Sequence, residues 1–191
     1  MVHEIIENND SLKKLMKELR DYDYETYEHS LRVGKLAYEI YENEGYPKKE
    51  CQRVLIAGLL HDIGVLKVSY NVVHKIGKYN ALDYQEMKCH TTYGYEILKK
   101  YRSDFDDEIC KCALMHHERN NGNGYPSGVK SDKIPELAQF IGFLEVFVAF
   151  TTYKSYRRSY THLEALGIME NYSLNEFNLS YSKYIKALYK Y

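Results

Sequence analysis

Charged side chains lie within or directly after the most apolar stretches of this chain. His61 and Asp62 follow the apolar run at 54–60, and Glu145 lies in the middle of the apolar segment 137–150. A helix that is apolar on every side is buried, so these groups would be removed from water. A buried charge without a partner is costly. The chain can therefore form a stable core only if these side chains meet one another or a cation.

Other histidines and carboxylates extend this set into a possible metal site. Glu25 and His29 are four residues apart and share one face of a helix, although a surface ion pair is the simpler explanation. His116 and His117 end another apolar helix, whereas His90 taken alone is uninformative. Imidazole and carboxylate ligands without cysteine favour iron, manganese or zinc over calcium.

The periodicity of apolar residues is helical along the chain. The 191 residues, 45% of them hydrophobic, suit a single domain with a core, and strand-like alternation is lacking. The spacing predicts an all-α fold of about seven to eight helices, with residues 1–22 as an N-terminal helix packed on a domain formed by 23–191. Helices are predicted at 5–19, 24–43, 48–61, 83–101, 104–117 and 135–152, and two more could cover 161–166 and 174–189.

Charge and cysteine usage restrict the partners and the compartment. The net charge of -1 indicates neither a nucleic acid polymer nor a membrane surface as a partner. The four cysteines form no Cys-x2-Cys pair, and we interpret them as reduced thiols. The first residues do not resemble a signal peptide. We therefore expect a cytoplasmic protein.

Four motifs occur in an order that resembles a known family, the HD-GYP family of the HD phosphohydrolase superfamily. The resemblance extends from about Asp23 to Tyr189. The matching residues are His61-Asp62-Ile63-Gly64, His90, His116-His117-Glu118 and Gly124-Tyr125-Pro126. An HD pair alone would be a weak signal, but this combination is specific.

The resemblance implies a metal-dependent phosphodiesterase. Members of this family are all-helical, carry two or three iron or manganese ions, and hydrolyse cyclic di-GMP to the linear dinucleotide and in some cases to GMP. The implied reaction is attack on phosphorus by a hydroxide that bridges the metal ions. Asp62 would bridge two ions, His61 and Asp62 would be the catalytic pair, and Glu25 would add a third ion. The implied metal ligands are Glu25, His29, His61, Asp62, His90, His116, His117 and Glu145.

The same resemblance implies a substrate-binding side. The loop Gly124-Tyr125-Pro126 would form a lip of the site, with a purely structural turn as the alternative. Lys154 and Arg157 would bind phosphate, with a solvated basic cluster as the alternative.

Several residues depart from the family pattern on this substrate side. Val65 stands where lysine is usual, and Lys67 is a weak candidate to replace it. Glu145 and Val148 stand at positions that are usually aspartate, and Lys154 at one that is usually arginine. Two alternatives therefore stay open beside the phosphodiesterase: a weak or inactive binding or interaction module, and an HD hydrolase with another nucleotide substrate. A homodimer or a regulatory protein partner is also left open.

Overall fold

Helices account for most of the residues described by the computed structural model, which are 1–153, 158–172 and 175–190. The α-helices are α1 (Val2–Glu7), α2 (Asp10–Tyr22), α3 (Tyr24–Asn43), α4 (Lys48–Leu60), α5 (Tyr70–Val73), α6 (Ala81–Lys88), α7 (His90–Leu98), α8 (Asp107–Met115), α9 (Glu136–Thr151), α10 (His162–Tyr172) and α11 (Ser182–Leu188). Four short 3-10 helices occur at Ile63–Lys67, Lys99–Tyr101, Ser131–Lys133 and Leu179–Tyr181. No strand occurs among the described residues, which confirms the all-α class. Eight of the described α-helices have eight or more residues, in line with the predicted number.

The N-terminal segment forms two helices, so the single helix predicted at 5–19 is wrong. α1 ends before Asn8, and the Asn9 side chain caps α2 by accepting a hydrogen bond from the backbone N–H of Leu12 at 2.9 Å. Asp23 then ends α2 and caps α3 through the N–H of Thr26. The separation of 1–22 from the rest of the chain as a unit stays a prediction.

The core lies between α2, α3, α4, α8 and α9. Helix α3 packs along α4, and α9 packs against both α3 and α8. Large side chains such as Leu59, Phe143 and Phe147 are almost fully buried there, each contributing about 1.5–3 kcal/mol through its burial. Because α4 and α8 run into this core, the residues that follow them, His61 and His116, have no exposed surface. The apolar run at 54–60 had predicted this depth for His61.

The segment 83–101 is divided where the periodicity predicted one helix. α6 ends at Lys88 and α7 begins at His90, with Cys89 between them. Similarly, α8 begins three residues later than predicted, because the Asp106 side chain caps it through the N–H of Ile109 at 3.0 Å. The break at Cys89 turns the chain and places His90 at the start of a helix.

Helix α9 is the most apolar of the longer helices and contains a buried glutamate. It has 16 residues, which is shorter than the roughly 20 needed to cross a bilayer. None of the helices in the described part of the chain combines the length and hydropathy of a membrane span.

Candidate metal centre and cavity

His61 and Asp62 follow α4, and Asp62 lines a cavity. The Nδ1 atom of His61 lies 2.8 Å from the carbonyl oxygen of Gly58, so a proton on Nδ1 leaves the Nε2 lone pair directed away from the helix. Nε2 is buried and lies 3.3 Å from Asp62 Oδ2, yet it makes no hydrogen bond of good geometry with any described residue. A buried nitrogen lone pair without a donor is what a metal cation would satisfy.

His90 and His116 repeat this arrangement. His90 Nδ1 lies 2.7 Å from the carbonyl oxygen of Met87, and His116 Nδ1 lies 3.2 Å from that of Cys112. Their Nε2 atoms lie 3.2 Å and 3.4 Å from Asp62 Oδ1. Histidines that ligate metals usually donate through one ring nitrogen to a carbonyl or carboxylate, which fixes the other nitrogen toward the metal. The three rings therefore have the orientation of metal ligands around Asp62.

A glycine determines how closely Asp62 approaches α7. A Cβ atom on Gly64 would lie 1.8 Å from the carbonyl oxygen of His90 and 2.4 Å from the backbone nitrogen of Gly94. Only a residue without a side chain permits this contact between the 3-10 helix Ile63–Lys67 and α7. In the sequence Gly64 was only a part of the motif, and its packing role became visible in the structure.

Helix α9 brings Glu145 to the end of α8. A Cβ atom on Gly142 would lie 2.2 Å from the carbonyl oxygen of His116, so the two elements are in backbone contact. Glu145 Oε1 lies 3.2 Å from His117 Nδ1 and 3.4 Å from the guanidinium of Arg119. Arg119 was missed in the sequence, because its ion pair crosses between elements 26 residues apart.

Seven of the eight predicted metal ligands come together. Within each of three overlapping groups, one atom per residue lies within 4.8 Å of the others. The groups are Asp62 with His90, His116 and His117; His29 with His61 and Asp62; and His61 with His116 and Glu145. Glu25 belongs to none of these groups, although it lines the same cavity as His29. The donors are imidazole and carboxylate only, which fits divalent iron, manganese or zinc.

The electrostatics of the cluster favour a cation. Burial raises the pKa of Asp62, but the surrounding histidines outweigh burial and hold it well below its usual value. The pKa of Glu145 is lowered in the same way, mainly by His117. Burial lowers the pKa of His61, but Asp62 more than reverses this and raises it to about 9, so at neutral pH a proton competes with a metal ion for Nε2. For His116, burial and His117 lower the pKa to about 3. Two buried carboxylates are thus anionic at neutral pH.

A cavity of about 740 Å³ opens over this cluster, within the size range of small-molecule sites. Asp62, His117 and Glu145 form part of its wall. Val65 also lines it, so the position usually occupied by lysine does face the cavity. Lys67 does not line the cavity and forms an ion pair with Glu96 at 2.9 Å. It therefore does not replace the lysine that is usual at the position of Val65.

The Gly124-Tyr125-Pro126 loop is held by a buried glutamate. Glu118 accepts hydrogen bonds from the backbone N–H groups of Ser127 at 2.7 Å and Val129 at 3.1 Å. The Tyr125–Pro126 peptide bond is cis. The Tyr125 ring lines the cavity and stacks on His117 with 4.6 Å between ring centroids. Burial raises the pKa of Tyr125, so its hydroxyl stays protonated and can donate at neutral pH.

The two cations that were predicted to bind phosphate come after α9 in the sequence. Lys154 and Arg157 fall outside the described residues, and their roles stay predictions. The neighbouring Arg158 is exposed and pairs with Glu164 at 2.9 Å. Val148 is buried and packs in the core.

Comparison of the sequence with a family profile identifies the family to which this chain belongs. The profile of the HD domain matches residues 13–179, which is most of the chain. The chain belongs to the HD domain family. This confirms the membership that the motifs had indicated. The match begins within α2, before Glu25, which is the first of the predicted metal ligands.

Individual HD domain proteins resemble the chain over most of its length. A "Cyclic di-GMP phosphodiesterase" of Thermotoga maritima is 32% identical over 161 residues, covering 84% of this chain and 44% of that protein. The "3'3'-cGAMP-specific phosphodiesterase 1" of Vibrio cholerae is 31% identical over 146 residues, covering 76% and 33%. The chain therefore spans less than half the length of these curated relatives.

A solved HD domain shows the same fold. The HD domain of the L. monocytogenes phosphodiesterase PgpH, in complex with cyclic-di-AMP, superposes with a TM-score of 0.64. It is 20% identical, and the match covers 92% of this chain and 93% of that one.

Proposed function

We propose that this HD domain is a metal-dependent phosphodiesterase that hydrolyses a cyclic dinucleotide, with cyclic di-GMP as the substrate. The observation that carries the proposal is the arrangement of His61, His90 and His116. Each ring is bound to a backbone carbonyl through Nδ1 and directs Nε2 toward Asp62 in a cavity wall. The names of the similar proteins support the substrate class.

The chain's own residues would hold the reacting groups in place. Asp62 is within 3.2–3.4 Å of three histidine nitrogens and would hold the metal together with these histidines. When bound, two or three divalent ions would lower the pKa of a coordinated water and stabilise negative charge on the phosphate. Glu118 keeps the loop that carries Tyr125 against the cluster, so the Tyr125 hydroxyl can donate a hydrogen bond to the substrate.

One observation favours a second candidate, a weakly active or inactive binding module. Glu145 is already paired with His117 and Arg119, so one proposed ligand is neutralised by the protein itself. Val65 also offers no charge to a phosphate at its place in the cavity. The test also includes two other cyclic dinucleotides, since one relative is named for 3'3'-cGAMP and a solved HD domain is in complex with cyclic-di-AMP.

The test is hydrolysis of three cyclic dinucleotides by anaerobically prepared protein loaded with Fe²⁺ or Mn²⁺. Cyclic di-GMP, 3'3'-cGAMP and cyclic di-AMP are each assayed for release of the linear dinucleotide, with metal content measured on the same sample. Asp62→Ala is the loss-of-function variant, and His3→Ala is the matched control because the His3 side chain is 87% exposed.

We expect metal in the wild type and in His3→Ala, and its loss in Asp62→Ala together with a fall in rate of at least ~100-fold. Metal without turnover of any of the three compounds would support the binding module instead. A protein that takes up neither metal would contradict the phosphodiesterase. Light scattering with and without the dinucleotide tests whether the protein forms a homodimer.

A further inference from the structure

Among the residues that the structure describes, three lysine or arginine side chains line the cavity over the metal-ligand cluster, and two of them are already paired with carboxylates. Arg32 pairs with Glu28 at 3.2 Å. Lys75 pairs with Asp83, which itself lies in the capping box of α6. Lys88 lines the cavity as well but makes no ion pair with a carboxylate among the described residues. It therefore presents an uncompensated positive charge to a ligand in the cavity.

Lys88 is positioned by two aromatic rings. Its Nζ lies 5.1 Å from the ring centroid of Tyr125 and 5.9 Å from that of Tyr84. Such cation–π contacts orient an ammonium group without neutralising its charge, and at an exposed site they contribute only about 0.5–1 kcal/mol. The Tyr125 ring in turn stacks on His117. Lys88 is thus linked through one ring to the cluster and stays free to donate three hydrogen bonds.

We propose that Lys88 binds a phosphate oxygen of the anionic substrate and so helps to select a phosphodiester. This inference rests on the proposed function and deepens it, because it names the side chain that holds the substrate's charge on the rim of the cavity. An ammonium group is a compact charge suited to phosphate. Lys67 is engaged by Glu96, and Val65 is uncharged, so neither supplies this contact.

The experiment compares Lys88→Met, Lys88→Arg and the matched control Lys67→Met with the wild type. Each metal-loaded protein is titrated with inorganic phosphate and with a hydrolysis-resistant phosphorothioate analogue of cyclic di-GMP. KM and kcat are measured for the three cyclic dinucleotides, and the Tm of each variant is recorded.

We expect Lys88→Met to raise the Kd of the analogue and the KM by roughly 10- to 100-fold, with a much smaller change in kcat, as for the loss of one charge-assisted hydrogen bond. Lys88→Arg restores most of the binding, because the charge and its donors return. Lys67→Met stays within about twofold of the wild type, since its charge lies outside the cavity.

The outcomes separate this inference from the proposed function. Turnover by the wild type with an unchanged KM in Lys88→Met would overturn the role of Lys88 and leave the phosphodiesterase intact. The absence of turnover, with phosphate binding that depends on Lys88, would reject the phosphodiesterase and support Lys88 as an anion ligand. A lowered Tm in Lys88→Met that Lys88→Arg does not restore would make Lys88 structural. Binding of neither probe by the wild type would overturn both.

Discussion

The guanidinium of Arg119 lies 3.4 Å from the carboxylate of Glu145, and both side chains are largely buried. Arg119 also donates to the carbonyl oxygen of His116 at 2.9 Å and packs over the Phe177 ring at 4.6 Å. It therefore ties the end of α8 to α9 and balances the charge of Glu145 within the protein. A metal ion and Arg119 would compete for the same carboxylate.

Replacing Arg119 by methionine tests this competition. In metal-free protein Glu145 would lose the guanidinium of Arg119, and we expect a loss of about 2–4 kcal/mol in the free energy of unfolding. Saturating Mn²⁺ should reduce this difference from the wild type by more than half, because an ion that no longer competes with Arg119 for Glu145 binds the native state of the variant more tightly and stabilises it further. Urea unfolding with and without Mn²⁺ measures both quantities.

The control for this variant is Arg158→Met, which breaks an exposed pair with Glu164 and should cost little at any metal concentration. An equal loss for Arg119→Met with and without Mn²⁺ would show that no ion reaches Glu145.

Substituting Gly64 by alanine should disrupt the candidate metal centre. The new Cβ would lie 1.8 Å from the carbonyl oxygen of His90, so α7 must move away from Asp62. We expect destabilisation of about 3 kcal/mol or more and a loss of bound metal. Thermal unfolding and metal analysis of the purified variant are the measurements.

Gly167→Ala is the matched control, since a Cβ at Gly167 in α10 would have no neighbour within 4 Å among the described residues. This change should leave metal content unaltered and raise stability by about 0.5–1 kcal/mol, because alanine favours the helix. If Gly64→Ala bound metal as tightly as Gly167→Ala, the backbone contact would not position Asp62.

Removal of the Glu118 carboxylate should release the loop that carries Tyr125. Glu118→Ala leaves the N–H groups of Ser127 and Val129 without their acceptor, at a cost of about 2 kcal/mol. Amide hydrogen exchange should become faster at these two positions. Asp132→Ala, which removes an exposed carboxylate nearby, should change stability by no more than about 0.5 kcal/mol. Unchanged exchange in Glu118→Ala would show that other contacts hold the loop.

We expect the Asp106 carboxylate to make the free energy of unfolding depend on pH. Burial raises its pKa, but Arg53 Nε at 2.6 Å and the N–H of Ile109 together lower it below the usual value. A lowered pKa means that the carboxylate stabilises the fold above the unfolded-state pKa of about 3.9 and ceases to do so as the pH falls through the folded-state value.

Asp106→Asn keeps the α8 cap and removes the charge. Near pH 6 the wild type should therefore be more stable than this variant by about 0.5–1 kcal/mol, a modest value because the side chain is 46% exposed. The difference should shrink as the pH falls below about 4. Urea unfolding at several pH values checks this, and a difference that is constant down to pH 3 would contradict it.

Much of the candidate site could be identified from local sequence. The positions of His61, Asp62 and Glu145 within apolar helical segments indicated a buried cluster, because helical burial follows from the spacing of neighbouring residues. The break at Cys89 was not predicted, since apolar residues continue on both sides of it and the turn depends on packing against the 3-10 helix Ile63–Lys67.

The sequence by itself determined the helical class, the donors available for a metal and the membership in the HD domain family. Only the tertiary structure decided that Arg119 forms an ion pair with Glu145, that Lys67 forms one with Glu96 outside the cavity, and that Lys88 lines the cavity. The physical reason is that donor type and helical period are properties of short segments. The partner of a charged side chain depends instead on which distant elements pack against it.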